Sequence, residues 1–156
     1  MCEKQFIKIN LNTPEHCQEL LKLLDIYMQD EMGQSSPMPK ALAPKIIEGL
    51  KQHSAYLGFF ACIDGQYAAL ANCNLNFSTF QAKPLINIHD FIVSPQFRNQ
   101  GAGHFLLTRI SAFAKQEGYC RITLEVRNDN IKAQNLYKKV GFTECNTPMH
   151  FWQKTI

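Results

Sequence analysis

The strongest constraint on the fold is a continuous unit in which an apolar stretch runs through a glycine-containing loop into an amphipathic helix. Residues 85–93 are too apolar for a strand with one face in water, so we expect this strand at the centre of a sheet. Pro95 ends the strand, and a helix is predicted from about Gly101 to Gln116, with Gly118 suited to its C-terminal cap. The apolar residues of this helix recur at helical spacing. They are Phe105, Leu106, Ile110 and Phe113.

Two helices are predicted before this unit. Thr13, Pro14 and Glu15 are typical of an N-cap, a first helical position and an acidic first turn, and the helix should run to about Met28. A second helix should carry an apolar face near residues 46–50, and the loop between the two is rich in helix breakers. The chain therefore begins with a short strand at residues 6–9, followed by two helices.

The remaining segments complete a mixed sheet. Asp64 and Gly65 form a strong hairpin signal between two β-rich runs that extend from residue 56 to 76. After the central unit we expect a strand at 121–126 and a helix at 131–140 closed by Gly141, and then strands near 142–145 and 150–154. The order β-α-α-β-β-β-α-β-α-β-β mixes hairpins with one β-α-β crossover, so the fold class is α+β or mixed α/β. A single domain over residues 1–156 is expected.

Composition excludes several classes of function. The chain of 156 residues has a net charge of only +3, and its Lys and Arg residues are scattered, so nucleic acid is not an expected partner. It begins with charged residues and has no stretch of membrane-spanning length, so we expect no membrane association and a cytoplasmic location. The six cysteines are irregularly spaced, with no Cys-x-x-Cys pair, and reduced thiols without a metal site are predicted.

The loop from Arg98 to Gly103 has the character of an anion site. Backbone amides at the start of a helix are unpaired and carry partial positive charge, and glycine lets a ligand approach the backbone closely. A tight turn before a capped helix needs the same residues, and the glycines by themselves favour that explanation over an anion site. A dinucleotide-binding motif fits poorly, because Leu106 stands where its third glycine belongs.

Two motifs in this region resemble the GNAT superfamily of N-acetyltransferases. The first is Val93-x-Pro95-x-x-Arg98-x-x-Gly101-x-Gly103, which resembles the acetyl-CoA pyrophosphate loop of that family. The second is Asn130-x-x-Ala133-x-x-x-Tyr137-x-x-x-Gly141-Phe142, which resembles the family's cofactor-side helix. The resemblance covers residues 85–142 and implies a GNAT-like sheet in which the two central parallel strands splay apart beside the thioester.

The resemblance also implies which residues hold the cofactor. The pyrophosphate would be bound by amides of the loop, the pantetheine arm would pair with the edge of the strand before it, and one side of the cofactor would be lined by the later helix. These residues are Phe91, Ile92, Val93, Arg98, Asn99, Gln100, Gly101, Ala102, Gly103, Asn130, Ala133 and Tyr137. Asn130 is also well suited to cap the helix.

Four residues are candidates for the chemistry. Tyr137 matches the family tyrosine that protonates or hydrogen-bonds the departing thiolate, although it also suits a core position. The run 89–93 resembles the corresponding strand of the diamine and polyamine acetyltransferases, with His89 in place of a proposed glutamate base. A histidine side chain in general titrates near neutrality, and His89 is accordingly a candidate base unless it is a core histidine. Asp90 should point to the face of the strand opposite His89, unless a local distortion of the strand changes its direction. Glu125 is a further candidate base unless it pairs with Arg121 or Arg127.

The implied activity is transfer of the acetyl group of acetyl-CoA, as co-substrate, to a primary amine of a small molecule, directly and within a ternary complex. Asp25, Asp30 and Glu31 are candidates to attract a cationic amine, unless they form a solvated helix end. A protein amine is a less favoured acceptor, and the sequence leaves open whether the chain forms a homodimer. The alternatives are a non-catalytic acyl-CoA-binding or sensor module and, less favoured, a nucleotide-binding regulatory domain.

Overall fold

The computed structural model describes residues 3–156 and contains a five-stranded sheet with helices on both faces. None of the helices among these residues is both long and apolar enough to cross a membrane. The strands lie in the order β1-β2-β3-β4-β5, so neighbours in the sheet are also neighbours in sequence. In chain order the elements are β1 (Lys4–Lys8), α1 (Pro14–Gln29), α2 (Leu42–Gln52), β2 (Tyr56–Ile63), β3 (Gln66–Ser78), β4 (Lys83–Val93), α3 (Ala102–Gln116), β5 (Ile122–Leu124) and α4 (Ile131–Val140).

Local signals account for most of these boundaries. Asp64 and Gly65 both have positive φ (49° and 76°), which is the backbone of the tight hairpin turn predicted between β2 and β3. α1 starts at Pro14 behind the N-cap Thr13, and α4 spans the predicted residues with Asn130 as its N-cap. The predicted mixed fold class is therefore confirmed for these elements.

The sheet separates two apolar cores. α3 and α4 pack on one face, where Phe59, Ile88 and Ile110 are almost fully buried. α1 and α2 cover part of the other face, where Leu23, Phe60 and Leu70 are buried. Since β4 contributes to both cores, its apolar composition reflects burial on two faces, as expected for a central strand.

The two parallel strands separate early. β4 pairs with β5 only through residues 86–88, which lie opposite Ile122–Leu124, whereas β4 continues to Val93. Residues 90–93 therefore pair with β3 on one side, and residues 89–93 have no strand partner on the other. The expected splay of the central strands is present, and it leaves backbone N–H and C=O groups of β4 facing an open gap.

A β-bulge lies where this gap begins. Asn72 of β3 is opposite Asp90, but the next residue, Cys73, is opposite Ile88, so His89 is an extra residue in β4. A bulge of this kind bends a strand and changes which face its side chains reach. Asp90 consequently lies on the same face as Ile92 and Asn72, which is the face that α1 and α2 partly cover.

The last two predicted strands are absent. Residues 141–156 form neither helix nor strand. Met149, Phe151 and Trp152 are between 77% and 87% exposed, so this segment buries too little apolar surface to hold it against β5. The prediction of strands near 142–145 and 150–154 was therefore wrong, and β5 is an edge strand that is also shorter than predicted.

Gly103 allows α3 to pack against β4 and α4, which predicts an unusual sensitivity to substitution. A Cβ there would lie 2.9 Å from Leu136 and 3.1 Å from Val93, whereas a Cβ at Gly49 in α2 would meet nothing within 4 Å. Gly103→Val should lower the free energy of unfolding by about 1–3 kcal/mol, as overpacking does. Gly49→Val should change it by less than about 0.5 kcal/mol. Chemical denaturation measures both, and equal effects at the two positions would contradict this account of the packing.

Candidate active site

A cavity of about 980 Å³ lies in the gap beside β4. Its walls come from the open edge of β4, the loop and first turn of α3, the first half of α4 and the end of α1. Ten of the twelve residues predicted to hold a cofactor line it. They are Phe91, Ile92, Val93, Arg98, Asn99, Gly101, Ala102, Gly103, Asn130 and Ala133.

The remaining two predicted cofactor residues do not line this cavity. Gln100 turns its side chain back to the carbonyl of Gln96 at 2.7 Å, and its own carbonyl accepts a hydrogen bond from Lys4 Nζ at 3.1 Å. Tyr137 lies in the wall behind Phe91. The Gln100 side chain therefore stabilises the shape of the loop, and only the backbone of Gln100 belongs to the loop that borders the cavity.

The loop before α3 has the geometry of an anion site. Asn99 and Gly101 have φ of 63° and 76°, so two residues adopt the left-handed conformation immediately before α3 begins at Ala102. Such turns point successive amides toward one side, and the first amides of a helix have no partner within it. These amides face the cavity, which is a suitable place for the phosphates of a cofactor.

Arg98 stands at the edge of this anion site and is held by two contacts. Its Nε donates to the carbonyl of Val93 at 3.2 Å, and its Nη2 pairs with Asp30 at 2.9 Å. The amide of Met32, which donates to Asp30 at 2.9 Å, and the Arg98 guanidinium lower the pKa of the Asp30 carboxyl against the opposing effect of burial. The end of α1 is thereby attached to the cofactor loop.

The acidic residues near the end of α1 take separate positions, since Asp30 and Glu31 line the cavity and Asp25 does not. Asp25 accepts the amide of Met38 at the far end of the loop that follows α1. The carbonyl of Glu31 accepts a hydrogen bond from Arg127 at 3.4 Å. Since Asp30 contacts the β4 side of the cleft and Glu31 the β5 side, the end of α1 bridges the gap between the parallel strands.

α4 presents its first turn to the cavity. The side chain of Asn130 accepts the amide of Ala133 at 3.1 Å, so the capping role expected for Asn130 is confirmed. Both residues line the cavity, and Ala133 offers a small surface one helical turn before Tyr137.

Tyr137 is the buried member of an aromatic group beside the gap. Its ring lies 6.1 Å from that of Phe91 and 5.9 Å from that of Phe142, and only 9% of the residue is exposed. Burial raises the pKa of Tyr137 to about 12, and the neighbouring Tyr27 adds to this shift. Because this pKa lies far above neutral pH, Tyr137 keeps its proton at neutral pH.

Tyr27, near the end of α1, is a site residue that the sequence motifs do not include. It lines the cavity, and burial raises the pKa of its phenol, with further upward contributions from the charges of Asp90 and Asp30. Asp90 itself does not line the cavity. Tyr27 reaches the site only because α1 packs across the sheet, whereas helical spacing alone describes it as a residue of the apolar face of the helix.

His89 and Asp90 take different positions at the bulge. His89 is exposed, so its interpretation as a buried core histidine was wrong, and it does not line the cavity. Asp90 is partly buried and accepts a hydrogen bond from the Asn72 side chain at 3.1 Å. Glu125 is exposed and accepts from Asn87 at 3.3 Å, rather than pairing with Arg121 or Arg127. Arg127 instead pairs with Asp129 at 2.7 Å.

Five of the six cysteines lie within the described residues, and all five are free thiols. Cys2 lies outside the described residues.

Comparison with known proteins gives an independent assignment of the family. The sequence profile described as Acetyltransferase (GNAT) family matches residues 20–142. An uncharacterized N-acetyltransferase of Methanocaldococcus jannaschii is 33% identical over 89 residues, which are 56% of this chain and 39% of that protein. The ribosomal protein bS18-alanine N-acetyltransferase of Escherichia coli is 30% identical over 104 residues, covering 67% of this chain and 66% of the relative. The chain thus spans between two fifths and two thirds of the length of these curated relatives.

A solved structure extends the comparison to the fold. The aminoglycoside N-acetyltransferase AAC(6')-Iy in complex with CoA superposes with a TM-score of 0.76 at 16% identity, over 100% of this chain and 97% of the other. At this identity the likeness concerns the fold alone. The family profile covers most of the chain, including the loop before α3 and the whole of α4. The chain therefore belongs to the acetyltransferase (GNAT) family.

Proposed function

We propose that this protein is an N-acetyltransferase that moves the acetyl group of acetyl-CoA directly to a primary amine of a small molecule within a ternary complex. The observation that supports this best is the single cavity that joins the anion site before α3 to the open edge of β4. The phosphates of acetyl-CoA match the anion site, and its amide-containing arm matches the open edge of β4. The activity and its substrates are carried over from relatives that this chain matches over part of their length.

The cofactor would be held mainly by backbone groups. Amides of residues 98–103 would bind the pyrophosphate, and backbone groups of Phe91 to Val93 on the open edge of β4 would pair with the pantetheine arm like an added strand. Arg98 would contribute a positive charge at the edge of the phosphate site. Asn130 and Ala133 would form the opposite wall, so that the thioester lies beside the bulge of β4.

The transfer step needs a neutral amine, a stabilised oxyanion and a proton for the thiolate. The amine nitrogen attacks the thioester carbonyl carbon, and the C–S bond breaks as the tetrahedral intermediate collapses. We assign to the Tyr137 hydroxyl the role of proton donor, or hydrogen-bond donor, toward the thiolate sulfur. This hydroxyl stays protonated at neutral pH. The proton lost by the attacking amine would pass to Asp90 or His89, directly or through water, since both lie at the bulge.

The acceptor is proposed to be a small molecule rather than a protein. The end of α1 bridges the cleft through its contacts with Arg98 and Arg127, which narrows access from that side. The neighbour AAC(6')-Iy is named for a small-molecule acceptor, whereas the Escherichia coli relative is named for a protein alanine. An amine panel of both kinds, with release of the CoA thiol as the readout, tests the proposal. Cofactor binding without thiol release for every amine would instead indicate an acyl-CoA sensor.

Acetyl-CoA should stabilise the protein, and this effect should depend on Gly101. A ligand that binds only the native state adds about 2.7 kcal/mol at one hundred times its dissociation constant, whereas ATP and NAD should add far less. Gly101→Glu should abolish the shift in melting temperature, because it places a negative charge among the phosphates. Gly65→Glu is the matched control, since Gly65 has the same φ of 76° in a remote turn. Retention of the acetyl-CoA shift in Gly101→Glu would refute the phosphate site.

Tyr137→Phe should lower kcat by roughly a hundredfold or more while the affinity for acetyl-CoA barely changes, because the ring stays and only the proton donor is lost. Since the acid must be protonated and its pKa is raised to about 12, this contribution should persist across neutral and mildly alkaline pH and be lost only as the pH approaches 12. Steady-state kinetics with isothermal titration measures both quantities. Tyr119→Phe, in a different aromatic contact, is the control. Parental turnover in Tyr137→Phe would mean that Tyr137 serves only as a packed wall.

Paired substitutions at the bulge should identify the base. His89→Ala should reduce turnover mainly near neutral pH, with recovery at high pH where free amine is abundant, if His89 accepts the proton. Asp90→Asn should show this loss and recovery instead if Asp90 does. The pH dependence of kcat/KM for both variants separates these outcomes, and unchanged profiles in both would leave the proton to water alone.

A further inference from the structure

We propose that Asn72 and Tyr56 are positioning residues that orient the Asp90 carboxylate toward the acceptor amine. This inference rests on the proposed function and adds two residues from strands that the sequence motifs do not include. It is carried by a chain of hydrogen bonds that crosses three strands, from Tyr56 of β2 through Asn72 of β3 to Asp90 of β4.

The chain of hydrogen bonds has one direction. The Tyr56 hydroxyl donates to Asn72 Oδ1 at 3.0 Å, and Asn72 Nδ2 donates to Asp90 Oδ2 at 3.1 Å. An ionised carboxylate can only accept, so the Asn72 amide must turn its nitrogen to Asp90 and its oxygen to Tyr56. The tyrosine hydroxyl supplies the one donor that this orientation requires. Tyr56 therefore fixes the amide, and the amide fixes the carboxylate.

Burial makes the loss of either hydrogen bond of Asn72 costly. Asn72 is only 6% exposed, and a buried amide that loses a partner costs far more than an exposed one. The next residues on the same face of the sheet, Leu70 of β3 and Ile92 of β4, are apolar. An apolar residue at position 72 would therefore suit the core equally well. A polar side chain at this point is consistent with a task other than packing.

The bulge gives that task a location. Because His89 is the extra residue, Asp90 lies on the α1 face beside Asn72 and directly precedes the cavity-lining residues of β4. Oδ2 is occupied by Asn72, whereas Oδ1 accepts no hydrogen bond from any side chain in residues 3–156. This second oxygen is the one available to an ammonium group or to the proton of the attacking amine.

The titratable groups that face Asp90 from the neighbouring elements are two phenols and one thiol, all protonated at physiological pH, and His89 adjoins Asp90 on the same strand. They are Tyr27 from α1, Tyr56 from β2 and Cys73 from β3. Burial raises the pKa of all three, that of Cys73 to about 12, and the charge of Asp90 raises each further. A pH effect that follows substitution of Asn72 or Tyr56 is therefore attributable to the Asp90 carboxylate once it is compared in a His89→Ala background.

The test uses three variants. Asn72→Leu removes the donor, Asn72→Asp keeps the shape but places a second carboxylate beside Asp90, and Tyr56→Phe removes only the hydroxyl that orients the amide. Each should lower kcat/KM for the amine on the order of tenfold to a hundredfold and leave KM for acetyl-CoA unchanged. The acidic limb of the pH profile should move to higher pH, because a carboxylate without its donor, or beside a like charge, takes up a proton more readily.

A double-mutant cycle and a control complete the experiment. Adding Tyr56→Phe to Asn72→Leu should cause no further loss, because both act through Asp90. Asn74→Leu, on the same strand and face, is the matched control, since Asn74 contacts His53 rather than Asp90. Unmoved pH profiles, additive losses or an equal loss in Asn74→Leu would overturn the inference while leaving acetyl transfer intact.

A readout that is independent of turnover separates this inference from the proposed function. In the wild-type protein the side-chain amide protons of Asn72 should give protected, separately resolved NMR signals. Both Tyr56→Phe and Asp90→Asn should remove this protection. An enzyme inert toward every amine would refute the proposed function. Asn72 signals that exchange freely in the wild type would refute the relay itself.

Discussion

Everything at the candidate site depends on the early end of the parallel pairing between β4 and β5. Three residue pairs join the two strands, after which β4 continues for five residues without a partner on that side. An unpaired strand edge normally requires protection, because its free N–H and C=O groups invite another strand. Here the edge is enclosed by α3, α4 and the end of α1, which turns unsatisfied backbone groups into one wall of a cavity.

Much of this arrangement could be predicted from short-range chemistry. Pro14, Asn130 and the glycines at 65, 101 and 141 mark turns and helix ends through backbone preferences that act within a few residues. The cofactor residues were implied by the family resemblance instead, and ten of the twelve line one cavity, on β4, the loop before α3 and the start of α4.

Features that depend on pairing between distant segments could not be predicted from local sequence. The bulge at His89 is a matter of register between β3 and β4, and Tyr27 reaches the site only because α1 lies across the sheet. The prediction of two C-terminal strands was wrong for a related reason, because a segment's capacity to form a strand does not ensure a surface that would bury it.

Some contacts around the cavity join parts of the chain that are very far apart in sequence. Lys4 bonds to Gln100, and Arg127 bonds to Glu31, and each pair is separated by 96 residues. Closing such long loops costs chain entropy before any contact forms, whereas the β2–β3 hairpin closes over two residues. The hairpin is accordingly expected to form early in folding and the cleft late. By the same reasoning, the unliganded cleft should be among the first regions to open in the native protein, and a bound cofactor would act as the bridge that makes these remote segments one cooperative unit.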